Sequence, residues 1–169
     1  MKLPEGALLR MSGGEPLSID GRAIDPRVQL LAVQGAKAPS LTTLDPVAAR
    51  AAAAQGLALL DDAPRANVAI DEVVMPGPGG RLAARLYRPK HAAGPLPGLV
   101  YFHMGGCVIG DLDTCETFCS ILAGSANCAV LSVDYRLAPE HKFPAAVDDA
   151  LAAYKWAEEN TSSFGMEAG

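Results

Sequence analysis

No run of apolar residues in this chain is long enough to cross a bilayer, because the longest alanine-rich stretch is broken by Arg50 and Gln55 and a spanning helix needs about 20 consecutive apolar residues. The opening Met1-Lys2-Leu3-Pro4-Glu5-Gly6 carries no apolar segment leading to a small-residue cleavage site, so a cytoplasmic protein without a membrane span is expected. Basic residues are few and scattered: 14 Lys and Arg stand against 19 Asp and Glu, for a net charge of −5. Binding to nucleic acid needs clustered cations, so that partner is not expected. Among Cys107, Cys115, Cys119 and Cys128 there is no Cys-x-x-Cys pair, and the i, i+4 spacing of Cys115 and Cys119 fits buried, reduced thiols better than a metal site. Neither a metal nor a cofactor is implied. The glycines of Pro76-Gly77-Pro78-Gly79-Gly80 are followed by no lysine–serine pair, which excludes a P-loop and leaves a turn. Gly-x-Ser-x-Gly occurs nowhere, so the strained strand-to-helix turn that exposes a nucleophilic serine is missing.

What is present is a chain of 169 residues, half of them apolar, long enough for one domain with a proper core. Asp25-Pro26 and Asp45-Pro46 each put a capping carboxylate before a proline suited to a first helical turn. They predict one helix carrying Val28, Leu31 and Val33 as far as Gly35, and an alanine-rich one running to Leu60. Alternation over 68–74 and 82–87, separated by the Pro/Gly turn, predicts an antiparallel strand pair. Residues 99–102 are continuously apolar, which predicts a central strand buried on both faces. A helix over 113–126 follows, with Asp113 and Glu116 spaced as a capping box, Phe118, Ile121 and Leu122 at helical spacing and Gly124 near its stop. A buried strand over 128–133 comes next. The final helix follows Phe143-Pro144 and reaches about Asn160, with Val147, Leu151 and Tyr154 read as its inner face. Strand, helix, strand, helix is the parallel α/β pattern.

The most informative segment is Gly98-Leu99-Val100-Tyr101-Phe102-His103-Met104-Gly105-Gly106-Cys107. An apolar strand runs into a His-x-Gly-Gly turn, where bare backbone N–H groups lie at a strand's carboxyl end. Such donors suit a developing oxyanion in acyl transfer, and glycine lets a substrate carbonyl approach the main chain. Downstream, Val130-Leu131-Ser132-Val133-Asp134-Tyr135-Arg136-Leu137-Ala138-Pro139-Glu140-His141-Lys142-Phe143-Pro144 forms a second block. Together the two motifs resemble the signature blocks of the hormone-sensitive-lipase-like esterases of the α/β-hydrolase fold, and the resemblance covers nearly the whole chain.

That resemblance implies a helical cap over residues 1–60 and, over 61–169, the first half of the mostly parallel catalytic sheet, with the chain stopping before the nucleophile strand. It implies carboxylic ester hydrolysis on short- to medium-chain acyl esters. Gly105 and Gly106 would supply the oxyanion hole, with His103 and Met104 supporting the loop. Asp134, Arg136 and Glu140 would form a charge network that fixes its geometry, while the Ser, Asp and His of the triad lie outside the chain. His103 is read as a brace rather than a base, since no nucleophile lies at a recognisable elbow. His91 and His141 fall in loop or turn positions. Cys107 is read as a small apolar filler rather than a nucleophile. Met104 stands where the family has the first glycine of His-Gly-Gly-Gly, and a left-handed backbone there would cost about 1–2 kcal/mol. The expected partner, beside an ester, is a C-terminal half present as a second chain, or another copy joined through an open strand edge. The alternative from a different class is a non-catalytic binding or regulatory remnant of the fold.

Overall fold

The computed structural model describes residues 3–58 and 61–167, in two units, Met1–Asp45 and Pro46–Gly169. In the first unit, helix α1 (Glu5–Met11) precedes a two-residue hairpin of β1 (Ser18–Ile19) and β2 (Arg22–Ala23), and helix α2 (Pro26–Gly35) follows. The hairpin turns on Asp20 and Gly21, with φ of 49° and 74°, as an Asp-Gly pair favours. Asp25 caps α2 by accepting the Arg27 N–H at 2.8 Å. Its carboxyl also takes the Arg27 guanidinium at 2.7 Å, and these bonds hold its pKa down at about 2. The inward residues of α2 are Gln29 and Leu30, whereas Val28 and Leu31 are exposed. Gln29 decides this: its Oε1 accepts the Leu17 N–H at 2.8 Å and its Nε2 donates to the Glu15 carbonyl at 2.8 Å. A single buried amide thus organises the unit, beside a core of Leu8 and Leu30.

The second unit opens with α3 (Pro46–Ala58); Leu59 and Leu60, expected to end it, lie outside the described residues. Strands β3 (Val68–Gly77) and β4 (Gly80–Pro89) pair antiparallel along their whole length. Then come β5 (Gly98–Phe102), α4 (Glu116–Ala126), β6 (Ala129–Val133) and α5 (Ala145–Glu159). The sheet order is β3-β4-β6-β5, antiparallel until the parallel β6/β5 pair. β6 is buried throughout and serves two cores. Ala129, Leu131 and Val133 face Ala153 and Ala157 of α5, while Val130 joins Cys119 and Ala123 of α4 on the other side. Alternation along one strand therefore places the two helices on opposite faces.

Three expectations need correction. β5 is an edge rather than a central strand, and Leu99 is 40 % exposed; its apolar run reflects a second edge that no strand of the described residues covers. On α5 the buried residues are Asp149, Ala153 and Ala157, whereas Val147, Leu151 and Tyr154 are 57 %, 54 % and 55 % exposed. Small side chains let that helix sit close to the sheet, and the larger apolar ones point away. The capping box expected from Asp113 and Glu116 does not form: α4 has Cys115 at its N-cap with no side-chain cap bond, and in the turn before it the Asp111 carboxylate accepts the Thr114 N–H at 2.8 Å while the Thr114 hydroxyl accepts the Asp111 N–H at 2.9 Å. Asp113 and Glu116 bind Arg85 instead, at 2.6 and 3.1 Å. That helix ends on Asn127, in the left-handed region at φ 50°, while Gly124 packs against Val68.

Candidate functional site

The loop leaving β5 is fastened at both ends. At its start His103, 3 % exposed, stacks on Tyr135 with ring centroids 4.2 Å apart, and the Tyr135 hydroxyl donates to the His103 carbonyl at 2.6 Å. At its far end the Cys107 carbonyl accepts the Ala138 N–H at 2.8 Å, and the Val108 carbonyl accepts Arg50 Nε of α3 at 2.8 Å. Between these anchors the Gly105 carbonyl accepts the N–H groups of both Val108 and Ile109 at 3.1 Å, closing a tight turn. The N–H groups of Gly105 and Gly106 have no acceptor among the described residues. They are free donors at a strand's carboxyl end.

Backbone conformation explains the glycines. Gly105 has φ +131°, and a Cβ there would collide with the Ile109 carbonyl. Gly106 has φ +62° with open space around it. At Gly110, φ +94°, a Cβ would stand 2.5 Å from His103 Nδ1. Met104 is not among the residues with positive φ; the left-handed non-glycine residue of the loop is Cys107, at 59°. The expected strain thus falls three residues later than the family comparison implied. Met104 contributes its carbonyl, 3.0 Å from His103 Nδ1, and leaves its side chain exposed.

Topology places this loop where α/β sheets build sites. From β5 the chain passes through α4 to β6 on one side, and from β6 it passes through α5 to Met166, which bridges Leu96 in parallel on the other side of β5. The direction of winding reverses at β5, and ligands of open α/β sheets bind beyond the carboxyl ends of strands at such a switch point.

The charged residues of the second motif are not joined to one another. Arg136 binds Asp149 of α5 through Nε and Nη2, both at 2.8 Å, and through its own N–H at 3.0 Å. Gly79 of the β3–β4 turn lies against the same guanidinium, where a Cβ would come within 2.6 Å. Burial would raise the Asp149 pKa, but the Arg136 hydrogen bonds outweigh it and hold the carboxylate below its ordinary range. Glu140 instead takes Arg50 in a two-oxygen pair at 2.9 and 2.7 Å, and Arg50 Nη2 also donates to the Ala138 carbonyl at 2.9 Å. Asp134 lines an open cavity of about 380 Å³ together with Arg50, Gly110, Leu137 and Glu140; Gly105 and Gly106 are not part of its lining. Arg50 and Asp149 are the residues that sequence reasoning missed. Arg50 carried a signal, as a lone cation inside an alanine run; Asp149, on a helix face, carried none.

The Arg50 hydrogen bonds lower the Glu140 pKa from 4.5 to about 2. A carboxyl depressed in the folded state adds stability that is complete above its unfolded pKa and disappears as pH falls through the folded one. Because the pair is open to water its contribution is small: Glu140→Gln is expected to melt only slightly below the parent protein at pH 6, with the gap closing between pH 4.5 and 2, as thermal scans across that range will record.

A family model described as the alpha/beta hydrolase fold matches residues 99–169. The carboxylic ester hydrolase LipN of Mycobacterium tuberculosis is 39 % identical over 99 % of this chain and 45 % of its own length. The ethyl acetate hydrolase of Pseudomonas putida is 46 % identical over 53 % of this chain and 29 % of its own. Among solved structures, an alpha/beta hydrolase enzyme from the metagenome of Lake Arreo, Spain, superposes with a TM-score of 0.76 at 38 % identity, over 83 % of this chain and 46 % of that one. An esterase of Pyrobaculum calidifontis does so at 0.70 and 36 %, over 79 % and 43 %. The chain spans less than half the length of the relatives it matches. Among the described residues no helix is long and apolar enough to cross a membrane.

Proposed function

Since the chain belongs to the hormone-sensitive-lipase-like esterase family of the α/β-hydrolase fold, we propose that it supplies the oxyanion hole of a carboxylic ester hydrolase whose Ser, Asp and His lie outside these 169 residues. The observation that carries this reading is the pair of free N–H groups on Gly105 and Gly106, suspended between anchored ends at the switch point of the sheet. In that reaction the serine oxygen bonds to the acyl carbon, and the carbonyl electron pair moves onto oxygen. The serine proton passes to the histidine, the two amides hold the charge until the intermediate collapses and the alcohol leaves with that proton, and water then releases the acid by the same steps. Residues 1–60 act as the cap, whose alanine, valine and leucine side chains suit short- to medium-chain acyl groups. The protein works in the cytoplasm.

The rest of the site arrives as a further strand beside β5. Supporting this, the Leu96–Met166 bridge already starts a parallel ladder on that edge, and a cavity of about 270 Å³ follows it, lined by Gly98, Val100, Tyr154 and Met166. The exposed Phe143, Val147, Leu151 and Tyr154 on and beside α5 continue this apolar surface and fit a covering helix. A C-terminal half acting as a second chain fills it; in its absence copies of this chain associate there.

The test is hydrolysis of p-nitrophenyl acetate and butyrate by the chain alone, then by the chain mixed with the portion of LipN that it does not match, with sedimentation run on both samples. No turnover and reversible self-association are expected alone, and turnover in a one-to-one complex in the mixture. Retention of ester without turnover in either sample supports the non-catalytic reading. A strictly monomeric, inactive 17.5 kDa species in both samples overturns the partner assignment.

A further inference from the structure

We infer that Arg50 is the positioning residue of the oxyanion loop, an assignment that rests on the reading of Gly105 and Gly106 given above. One guanidinium reaches three acceptor sites on two chain segments besides its own helix: the Val108 carbonyl at 2.8 Å in the loop, the Ala138 carbonyl at 2.9 Å, and both oxygens of Glu140 at 2.9 and 2.7 Å. Ala138 is also the residue whose N–H holds the Cys107 carbonyl at 2.8 Å. Arg50 therefore grips the loop directly at Val108 and again through the segment that grips Cys107. The residues between the anchors lack conformational preferences of their own that would keep them in place. Gly105, Gly106 and Cys107 have φ of 131°, 62° and 59°, a region that L side chains avoid. The direction of the two free amides is accordingly set by the turn that the Gly105 carbonyl closes and by its ends, Tyr135 on one side and Arg50 with Ala138 on the other.

The same geometry separates positioning from stability. Glu140 is half exposed and Arg50 29 % exposed, and ion pairs so open to water add little to folding. What the arrangement does require is arginine: its planar fork offers donors in several fixed directions, whereas a lysine ammonium is a single point on a flexible stem. Lys at position 50 keeps the charge and the helix but cannot reach the Val108 carbonyl, the Ala138 carbonyl and Glu140 together.

The experiment is backbone amide relaxation by NMR on the 169-residue chain and on Arg50→Ala, Arg50→Lys and Glu140→Gln. In the parent, Gly105 and Gly106 are expected to show the order parameters of rigid backbone, about 0.85, falling below about 0.6 in Arg50→Ala. Arg50→Lys is expected not to restore them, and Gly124, packed on Val68, is expected to stay unchanged in every variant. Glu140→Gln, which keeps an acceptor, should lie between. If Arg50→Ala does not fold, the lysine and glutamine variants decide the matter. Retained order at Gly105 and Gly106, full rescue by lysine, or loosening of Gly124 to the same degree overturns the assignment. None of these readouts needs turnover, so failure of the esterase reading would show separately, in the hydrolysis assay.

Discussion

Gly105→Ala is expected to cut ester turnover in the complemented assay by about 10²–10³, the usual cost of losing one oxyanion donor, with the far-ultraviolet circular dichroism of the chain unchanged. Two independent facts lead there. The residue sits at φ +131°, where side chains are strained, and its Cβ would occupy the place of the Ile109 carbonyl. That carbonyl cannot yield while the Ile109 and Val108 N–H groups both bind the Gly105 oxygen, so the turn opens and the Gly105 N–H swings away. Gly106→Ala is the matched control. Its φ of +62° costs about 1–2 kcal/mol, but its Cβ meets nothing, and its turnover is expected to fall by far less. Equal losses in both variants would remove the steric argument, and full activity in Gly105→Ala would remove the loop from the mechanism.

Asp149→Ala is expected to produce the largest loss of stability, about 3 kcal/mol at neutral pH, the low end for breaking a buried ion pair. The carboxylate is 1 % exposed and its partner Arg136 26 %, so the stranded guanidinium recovers part of its hydration. For a chain of this length that corresponds to a melting temperature lower by about 6–12 °C. The sign of the pH dependence follows from the depressed pKa of Asp149. Its contribution is whole above the ordinary 3.8 and fades as acid protonates the carboxyl, so the parent and the variant should converge on acidification. Differential scanning calorimetry at pH 7 and pH 3 tests both statements; a deficit that persists undiminished in acid would show that packing, not charge, holds α5.

The loop and the parallel α/β pattern were legible because they rest on local chemistry: glycines where φ is positive, an Asp-Pro before α2 and α3, a Pro/Gly turn between alternating strands. What could not be read is where sequence-distant groups meet. Val147, Leu151 and Tyr154 follow helical spacing, yet so do Asp149, Ala153 and Ala157, and only the sheet decides which face lies inward. Hydrophobicity chose the wrong face because Asp149 has an answering charge on Arg136. Similarly, Asp134, Arg136 and Glu140 lie close in the chain but turn to separate surroundings, two of them finding their partners in α3 and α5. The continuous apolar character of β5 predicted burial on both faces, whereas β5 lies at the edge of the sheet with Leu99 40 % exposed.

Gln29 brings a different consequence. A unit of 45 residues whose buried side chains, among the described residues, are two leucines, Ser12 and one amide has the small core of segments that open on their own. Residues 3–45 are therefore expected to lose amide protection before the strands of the four-stranded sheet do, as hydrogen exchange will record.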